Sequence, residues 1–282
     1  MCYCAACQSG SYRLIKQFKF DNILFKMFEC AQCRTIWVAP PLTIDLKNFY
    51  ENQYDYSSYS SINELTPFHR KIIHFDRKVY LGELKALISF LPKNALILDV
   101  GCGIPFFLYF AKISGYHVVG CDMASGIIDY SMKTLKVPIV SGTIKNLALS
   151  EKRFDMIRYN HVFEHIPFPN KELEFVRKLL KTGGILRISV PNVLNWKFNI
   201  KKNLRLVDPQ AILNLPEHVV MYSEQGITEL LKRYGFILMK RLNLLPHRIF
   251  ACKETIWLYY IESLAIPHDR RANLDLLFVK KW

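Results

Sequence analysis

The feature that most constrains the fold is a short apolar run, residues 95–100, that leads directly into a turn with two glycines, Gly101 and Gly103. Glycine lets the backbone turn sharply and approach a ligand with only N–H groups in the way. A helical pattern begins at residue 106, so the turn also presents a helix N-terminus, which favours an anion such as a carboxylate. Asp99 suits either a ligand with an ammonium group or an ordered network around the turn. The turn is therefore the first candidate binding site.

The same segment distinguishes between two classes of cofactor. A dinucleotide-binding fingerprint, G-x-G-x-x-G, needs a third glycine so that the helix packs closely beneath a pyrophosphate. Counted from Gly101, that position is Phe106, whose ring argues against a pyrophosphate. Asp122 follows the next predicted strand, nineteen residues beyond Gly103. A carboxylate there can accept hydrogen bonds from both hydroxyls of an adenosine ribose.

From residue 75 onward, predicted helices alternate with predicted strands. The helices cover residues 75–90, 106–114, 126–136, 171–180 and 224–234, and the strands cover residues 95–100, 117–121, 137–141, 154–160, 185–190, 236–242 and 274–279. This alternation is typical of βαβ units and predicts an α/β fold with a doubly wound, mostly parallel sheet. Ligands of such sheets bind at the carboxyl ends of the strands, where the strand order reverses.

Four of the eight cysteines form two CxxC pairs, Cys4 with Cys7 and Cys30 with Cys33. Four thiolates can close a tetrahedron around Zn²⁺. The spacer slightly exceeds the usual range of about 15 to 20 residues, which a longer hairpin between the pairs accommodates. Cys2 is an alternative to Cys4. Since all four ligands would come from the protein, we expect a structural zinc ribbon without chemistry of its own.

Composition bounds the class of protein. Hydrophobic residues make up 51% of the chain and charged residues 22%, which is globular. The longest apolar stretches, such as residues 255–261, stop far short of the roughly 18 residues of a membrane span, and no secretory signal is visible. We expect a cytoplasmic protein with a zinc ribbon over residues 1–45, a tyrosine-rich linker or lid over 46–75 and a ligand-binding domain over 76–282.

Several segments together resemble one family. LDVGCG with Asp122, the segment SGTIKNLALSEKRFDMIRYNHVFEHIPFP, and the stretches 179–192 and 215–236 resemble class I S-adenosylmethionine (SAM)-dependent methyltransferases. With the two CxxC pairs, the order resembles bacterial methyltransferases of sugar, surface-glycan and secondary-metabolite pathways, including sugar C-methyltransferases. The resemblance implies a Rossmann-like, seven-stranded sheet with an insertion at about 246–272. Pro105 stands where the family usually has a third glycine.

The resemblance also implies which residues surround SAM. They are Asp99, Gly101 and Gly103 at the turn beside the methionine part, Asp122 at the ribose, Met123, Thr143 and Ile144 around the adenine, and Asn160 and His161 near the sulfonium. Plain core packing is the alternative for Met123 and Ile144, and a helix N-cap is the alternative for Asp122.

Methyl transfer to carbon or hydroxyl requires a base, because the acceptor must lose a proton. We expect His218 to be that base, with Glu217 orienting it, and His165 is a second candidate. The alternative is that Glu164 and His165 cap or orient their loop. His161, Glu164 and His165 could also bind a divalent metal.

The acceptor is expected to be a small molecule. The chain carries a formal net charge of +14, and Lys201, Lys202 and Arg205 could hold the phosphate of a nucleotide-linked sugar or a lipid-linked glycan. Lysines interleaved with Trp196 and Phe198 also fit single-stranded RNA, and zinc ribbons occur in ribosomal-RNA methyltransferases. A non-catalytic SAM-fold adapter is a third possibility, against which the intact glycine turn counts.

Overall fold

The computed structural model describes residues 3–20, 22–41, 67–147, 153–196, 200, 218–244 and 265–282, with the backbone alone for residues 20 and 67–76. The strands are β1 (Tyr12–Phe20), β2 (Ile23–Cys30), β3 (Ile36–Ala39), β4 (Leu96–Val100), β5 (His117–Asp122), β6 (Ile139–Ser141), β7 (Phe154–Asn160), β8 (Leu180–Pro191), β9 (Val220–Met221), β10 (Phe236–Arg241) and β11 (Asn273–Lys280). The α-helices are α1 (Pro67–Leu87), α2 (Phe106–Ile113), α3 (Ser125–Tyr130), α4 (Pro169–Leu179) and α5 (Glu224–Arg233).

The central sheet has seven strands in the order β10-β11-β8-β7-β4-β5-β6. The pairs from β8 to β6 are all parallel, and only β11 runs antiparallel to its neighbours. The predicted fold class is confirmed. The strand order reverses beside β4, because β5 lies on one side of it and β7 on the other. The glycine turn therefore leaves the sheet at its switch point, where open α/β sheets bind their ligands.

Two buried arginines connect the sheet to α1. Arg158 on β7 pairs with Glu83 of α1 and with Asp99 of β4, both at 2.9 Å. Arg187 on β8 pairs with the same Glu83 at 2.8 Å and with Asp275 of β11 at 3.0 Å. All of these side chains are buried, so each charge depends on its partners for compensation. The network holds four strands, β4, β7, β8 and β11, and the helix α1 in a single arrangement.

The helix before the sheet begins earlier than expected. The sequence predicts a linker up to residue 75 and a helix over 75–90, whereas α1 begins at Pro67 and is followed by a 3₁₀ turn at Ile88–Phe90. Proline is favoured in the first turn because its fixed φ suits a helix and its missing N–H is not needed there. The rest of the predicted linker and most of the predicted insertion at 246–272 lie outside the described residues.

A second sheet contains the cysteine pairs. Strands β1, β2 and β3 are antiparallel neighbours, and β9 is the fourth strand, with Ile36 opposite Met221 and Trp37 opposite Val220. Buried side chains of both sheets form one continuous apolar cluster. The ribbon predicted over residues 1–45 therefore shares a sheet and a core with residues near 220.

Candidate active site

A cavity of about 620 Å³ opens at the carboxyl ends of β4, β5, β6 and β7. Its volume is typical of small-molecule sites. The sequence-predicted residues that line it are Gly101, Gly103, Asp122, Met123, Thr143, His161, His165 and His218. The fold thus gathers these residues from separate parts of the chain at one cavity, which we call the central cavity.

The two glycines of the turn are needed for different steric reasons. Both have left-handed backbone conformations, with φ of +61° at Gly101 and +52° at Gly103. A Cβ on Gly101 would lie 2.7 Å from a methyl of Val162, so this glycine permits close packing. A Cβ on Gly103 would meet nothing within 4 Å, so this glycine leaves space open at the wall of the central cavity.

Asp122 fastens the turn to the end of β5. Its Oδ2 accepts a hydrogen bond from the Gly103 amide at 2.8 Å, and its Oδ1 accepts one from the Ala124 amide at 3.0 Å. The N-cap of α3 is Ala124, so the alternative interpretation of Asp122 as the N-cap is wrong. Burial raises the pKa of Asp122, although these amides oppose the shift. Each carboxylate oxygen has a further lone pair for ligand hydroxyls.

Three side chains predicted around the cofactor do not line the cavity. The Asp99 carboxylate pairs with Arg158, which agrees with the network interpretation and not with a ligand contact. Asn160 accepts a hydrogen bond from Arg187 at 3.1 Å. Ile144 is buried in the apolar core, as its alternative interpretation states. Asn160 ends β7, where neighbouring side chains point to opposite sides, whereas Ile144 begins a 3₁₀ turn and Asp99 lies within β4.

One buried carboxylate faces three imidazoles on the cavity wall. Glu164 is fully buried, and its Oε1 lies 3.5 Å from Nδ1 of His161 and 4.0 Å from Nε2 of both His165 and His218. Neither carboxylate oxygen has a hydrogen-bond partner among the described residues. The rings of His165 and His218 meet edge to face, 4.7 Å apart. The Val219 amide donates to the Glu164 carbonyl at 3.0 Å and so fixes the loop after His218.

The electrostatics of this cluster favour a charged carboxylate and a neutral His218. Burial alone would raise the pKa of Glu164, but His161, His165 and His218 hold it below its usual value. Burial lowers the pKa of His218, and Glu164 partly opposes this. A neutral imidazole beside a carboxylate can accept a proton.

The same cluster has the residue types of a metal site. The ligand atoms of Glu164, His165 and His218 all lie within 4.8 Å of one another. Carboxylate and imidazole together suit divalent cations. The predicted trio was His161, Glu164 and His165, whereas the group in the structure has His218 in place of His161.

The four predicted zinc ligands converge at the ribbon. Sγ of Cys4 lies 3.6 Å from Sγ of Cys33, and Sγ of Cys7 lies 3.5 Å from Sγ of Cys30. A tetrahedron with Zn–S bonds of about 2.3 Å has S–S edges of about 3.8 Å. The donor set and its spacing therefore fit zinc. Cys2, the alternative ligand, lies outside the described residues.

Four residues predicted on the acceptor side also lie outside the described residues: Glu217, Lys201, Lys202 and Arg205. The sequence predicted Glu164 only to cap or orient its loop or to bind metal. It did not predict Glu172 at all. This residue lines the cavity and accepts a hydrogen bond from the Tyr159 hydroxyl at 2.8 Å. A carboxylate within an apolar helical pattern is the only signal that could have found Glu172.

The comparisons with known proteins identify the family. Residues 72–240, more than half of the chain, match the family model Methyltransf_23, a methyltransferase domain. The chain belongs to this methyltransferase family.

A ubiquinone biosynthesis O-methyltransferase from Coxiella burnetii is 29% identical over 127 residues, which is 43% of this chain and 53% of that protein. One from Vibrio cholerae is 27% identical over 156 residues, 48% of this chain and 63% of that protein. The chain spans about half the length of the curated relatives it matches.

Solved methyltransferase structures share the fold. A SAM-dependent methyltransferase from Thermotoga maritima superimposes with a TM-score of 0.53 at 16% identity, covering 84% of this chain and 98% of that one. Magnesium protoporphyrin IX methyltransferase from Synechocystis, with S-adenosylhomocysteine bound, gives 0.53 at 13% identity, covering 83% and 98%. Among the described residues, no helix is both long and apolar enough to cross a membrane.

The central cavity of this methyltransferase fits SAM. The open space beside Gly103 is the kind of cradle that a Cβ would fill, and it lies next to the carboxylate of Asp122. Met123 and Thr143 line the part of the cavity beyond Asp122. Residues predicted for the turn, the ribose and the adenine are thus all present in the lining of the cavity.

Proposed function

We propose that this methyltransferase transfers the methyl group of SAM to a small-molecule acceptor whose reacting atom loses a proton to His218. The observation that carries the proposal is that His165 and His218 line the same cavity as Gly103 and Asp122, with the buried carboxylate of Glu164 beside them. A base beside the cofactor is needed for hydroxyl and carbon acceptors and much less for a neutral amine.

The acceptor class follows from the base and from the relatives. The curated relatives are named O-methyltransferases, which favours a hydroxyl acceptor here. The proposed acceptors are sugars, glycan precursors or secondary metabolites that carry such a hydroxyl. Lys145 and Lys171 line the cavity together with the carboxyl groups of Asp122 and Glu172, so the wall offers two cations that could contact a phosphate or another acidic group of the acceptor.

The mechanism follows from the positions of the chain's own groups. When bound, SAM supplies a methyl group on a sulfonium, which is a good leaving group. The cavity wall must hold the acceptor atom in line with that methyl, and this positioning is the main source of rate. His218 takes the acceptor proton, and the Glu164 carboxylate stabilises the resulting imidazolium. His165, in ring contact with His218, helps to fix its orientation.

The proposed binding of SAM at the central cavity is tested by calorimetry. Asp122→Ala should abolish measurable SAM binding, since it removes both the ribose acceptor and the bond that holds the turn. Asp129→Ala is the matched control, because Asp129 is exposed on α3 and pairs only with Lys133 at 3.6 Å. Unchanged SAM affinity in Asp122→Ala would overturn the placement of the cofactor.

The proposed acceptor class and the role of His218 are tested by transfer of a radiolabelled methyl group. Purified protein is offered nucleotide sugars, polyhydroxylated phenols and total RNA in parallel, and label is expected only in small molecules. His218→Ala should abolish transfer with SAM affinity intact. Label in RNA would instead support the RNA alternative, and an unchanged rate would remove His218 as the base.

A further inference from the structure

The loop that carries His218 is held from the side of the ribbon. Directly after His218, the Val219 carbonyl accepts a hydrogen bond from the Val38 amide at 3.2 Å. The next two residues form β9, which pairs with β3 and has Val220 opposite Trp37. A two-residue strand is too short to hold its own register, so its position depends on the strand beside it.

The cysteine pair of Cys30 and Cys33 also contacts the start of α5 directly. The Ser223 hydroxyl donates a hydrogen bond to the Cys33 carbonyl and accepts one from the Gly226 amide at 2.9 Å, which makes Ser223 the N-cap of α5. A Cβ on Gly226 would lie 2.1 Å from Oγ1 of Thr35 and 3.2 Å from Sγ of Cys33. Only glycine permits this approach of helix and cysteine pair.

Within the part of the chain that the structure describes, Gly103 and Asp122 make no hydrogen bond to the ribbon. Gly103 and Asp122 belong to the ends of β4 and β5, and the described residues that line the central cavity all lie at or beyond residue 100. The two halves of the active site therefore depend on different parts of the chain. The acceptor half, which contains His218, is the half that contacts the ribbon with its cysteines.

We infer that zinc bound by the four cysteines positions His218, with Ser223 and Gly226 as the positioning residues that connect the metal site to the loop. This inference rests on the proposed role of His218. Zinc fixes the backbone at Cys33, the contacts at Ser223 and Gly226 fix the start of α5, and β3 fixes β9. Loss of zinc loosens the 219–222 segment on the side of β3, while its bonds to Glu164 and Val193 on the other side and the binding of SAM stay intact. If the ribbon only added general stability, SAM binding and the His218 loop would weaken together.

The test compares two glycine variants of the full chain. Gly226→Ala places a methyl group against Thr35 and Cys33, whereas Gly82→Ala changes another helical glycine whose Cβ would meet nothing within 4 Å. Three properties are measured on each: zinc content, SAM affinity by calorimetry, and hydrogen exchange of the amides at residues 219–222. The imidazole NMR signal of His218, assigned with His218→Gln, reports its surroundings directly.

In Gly226→Ala we expect faster exchange at residues 219–222, by about fivefold to tenfold for the loss of roughly one backbone hydrogen bond. The His218 signal should shift, and SAM affinity should not change. Removing zinc from the wild-type protein with a chelator should give the same signature, and Gly82→Ala should give none of it. If Gly226→Ala does not accumulate as folded protein, Ser223→Ala, which removes only a hydroxyl, takes its place.

The inference is overturned if the His218 signal and the exchange rates stay unchanged without zinc, or if SAM affinity falls in parallel with them. These readouts do not depend on catalysis. Full transfer activity in His218→Ala would refute the proposed base and leave the measured link between zinc and the loop in place, so the two failures are distinguishable.

Discussion

The amide of Gly103 and the carboxylate of Asp122 are joined by a hydrogen bond of 2.8 Å, which ties the turn after β4 to the end of β5. The turn and the acid are therefore one structural unit, although nineteen residues separate them in the chain. A change in either residue affects both the shape of the turn and the acceptor for ribose hydroxyls.

Gly103→Ala should weaken SAM binding by about tenfold or more, because the added methyl group enters the wall of the cavity. Gly183→Ala is the matched control, since Gly183 also has a positive φ, +76°, and free space around its Cβ, but lies outside the cavity. Both variants should lose about 1 kcal/mol of stability from left-handed alanine. Equal SAM affinities by calorimetry would contradict the position of the cofactor.

Glu164→Gln should lower kcat by about a hundredfold, because the imidazolium formed at His218 loses its compensating charge. Since Glu164 raises the pKa of His218 against the effect of burial, the variant should have an even lower His218 pKa, and the acid limb of the pH–rate profile should move to lower pH. An unmoved limb would contradict the pairing. Wild-type activity that requires added Mn²⁺ while the cysteine-bound zinc is retained would instead indicate a catalytic metal at Glu164, His165 and His218.

Glu224 should make stability depend on pH in the acid range. Burial opposes its ionisation, but His268 at 3.0 Å and Arg241 lower its pKa to about 2. Because this pKa is below its unfolded value, the stabilisation is present above about pH 4.5 and is lost as the pH falls towards 2. Glu224→Gln should reduce the free energy of unfolding by about 1 to 2 kcal/mol at pH 7 and flatten its dependence on pH between 2 and 5. Urea titrations at several pH values measure this, and parallel curves for the two proteins would contradict it.

Arg158→Met should cost about 3 to 5 kcal/mol in the free energy of unfolding, because it leaves the buried carboxylate of Asp99 without its arginine partner and leaves Glu83 with Arg187 alone. Lys133→Met is the control, since its ion pair with Asp129 is about half exposed and such pairs contribute about 0 to 1 kcal/mol. Urea denaturation compares the two, and a loss below about 1 kcal/mol in Arg158→Met would show that the network is not needed for stability.

The strands and the glycine turn could be predicted because their signals are local. The strand predicted over residues 154–160 has the same first and last residues as β7. The order of the two glycines and Asp122 predicted a binding site at the switch point, where the central cavity lies. Side-chain direction at strand ends was harder. Asn160 and Ile144 were expected beside the cofactor, but strand alternation turns Asn160 away from it, and the 3₁₀ turn that begins at Ile144 buries this side chain in the core.

Contacts between distant parts of the chain could not be read from the pattern. No local signal indicates that Trp37 pairs with Val220, or that His218 joins His161 and His165 beside Glu164. Asp99 illustrates the same limit, because its partner Arg158 lies on another strand, in a run that otherwise resembles any apolar strand. Such tertiary pairings depend on strand order, which local propensity does not determine.

The fourth strand of the ribbon sheet, β9, is made about 180 residues after the third. During synthesis, the first forty residues therefore leave the ribosome with one edge of β3 unpaired, and they must wait for residues near 220 to cover it. Exposed strand edges invite association with other chains. The newly made N-terminal segment is thus at its most aggregation-prone in the interval before translation reaches the segment that completes its sheet.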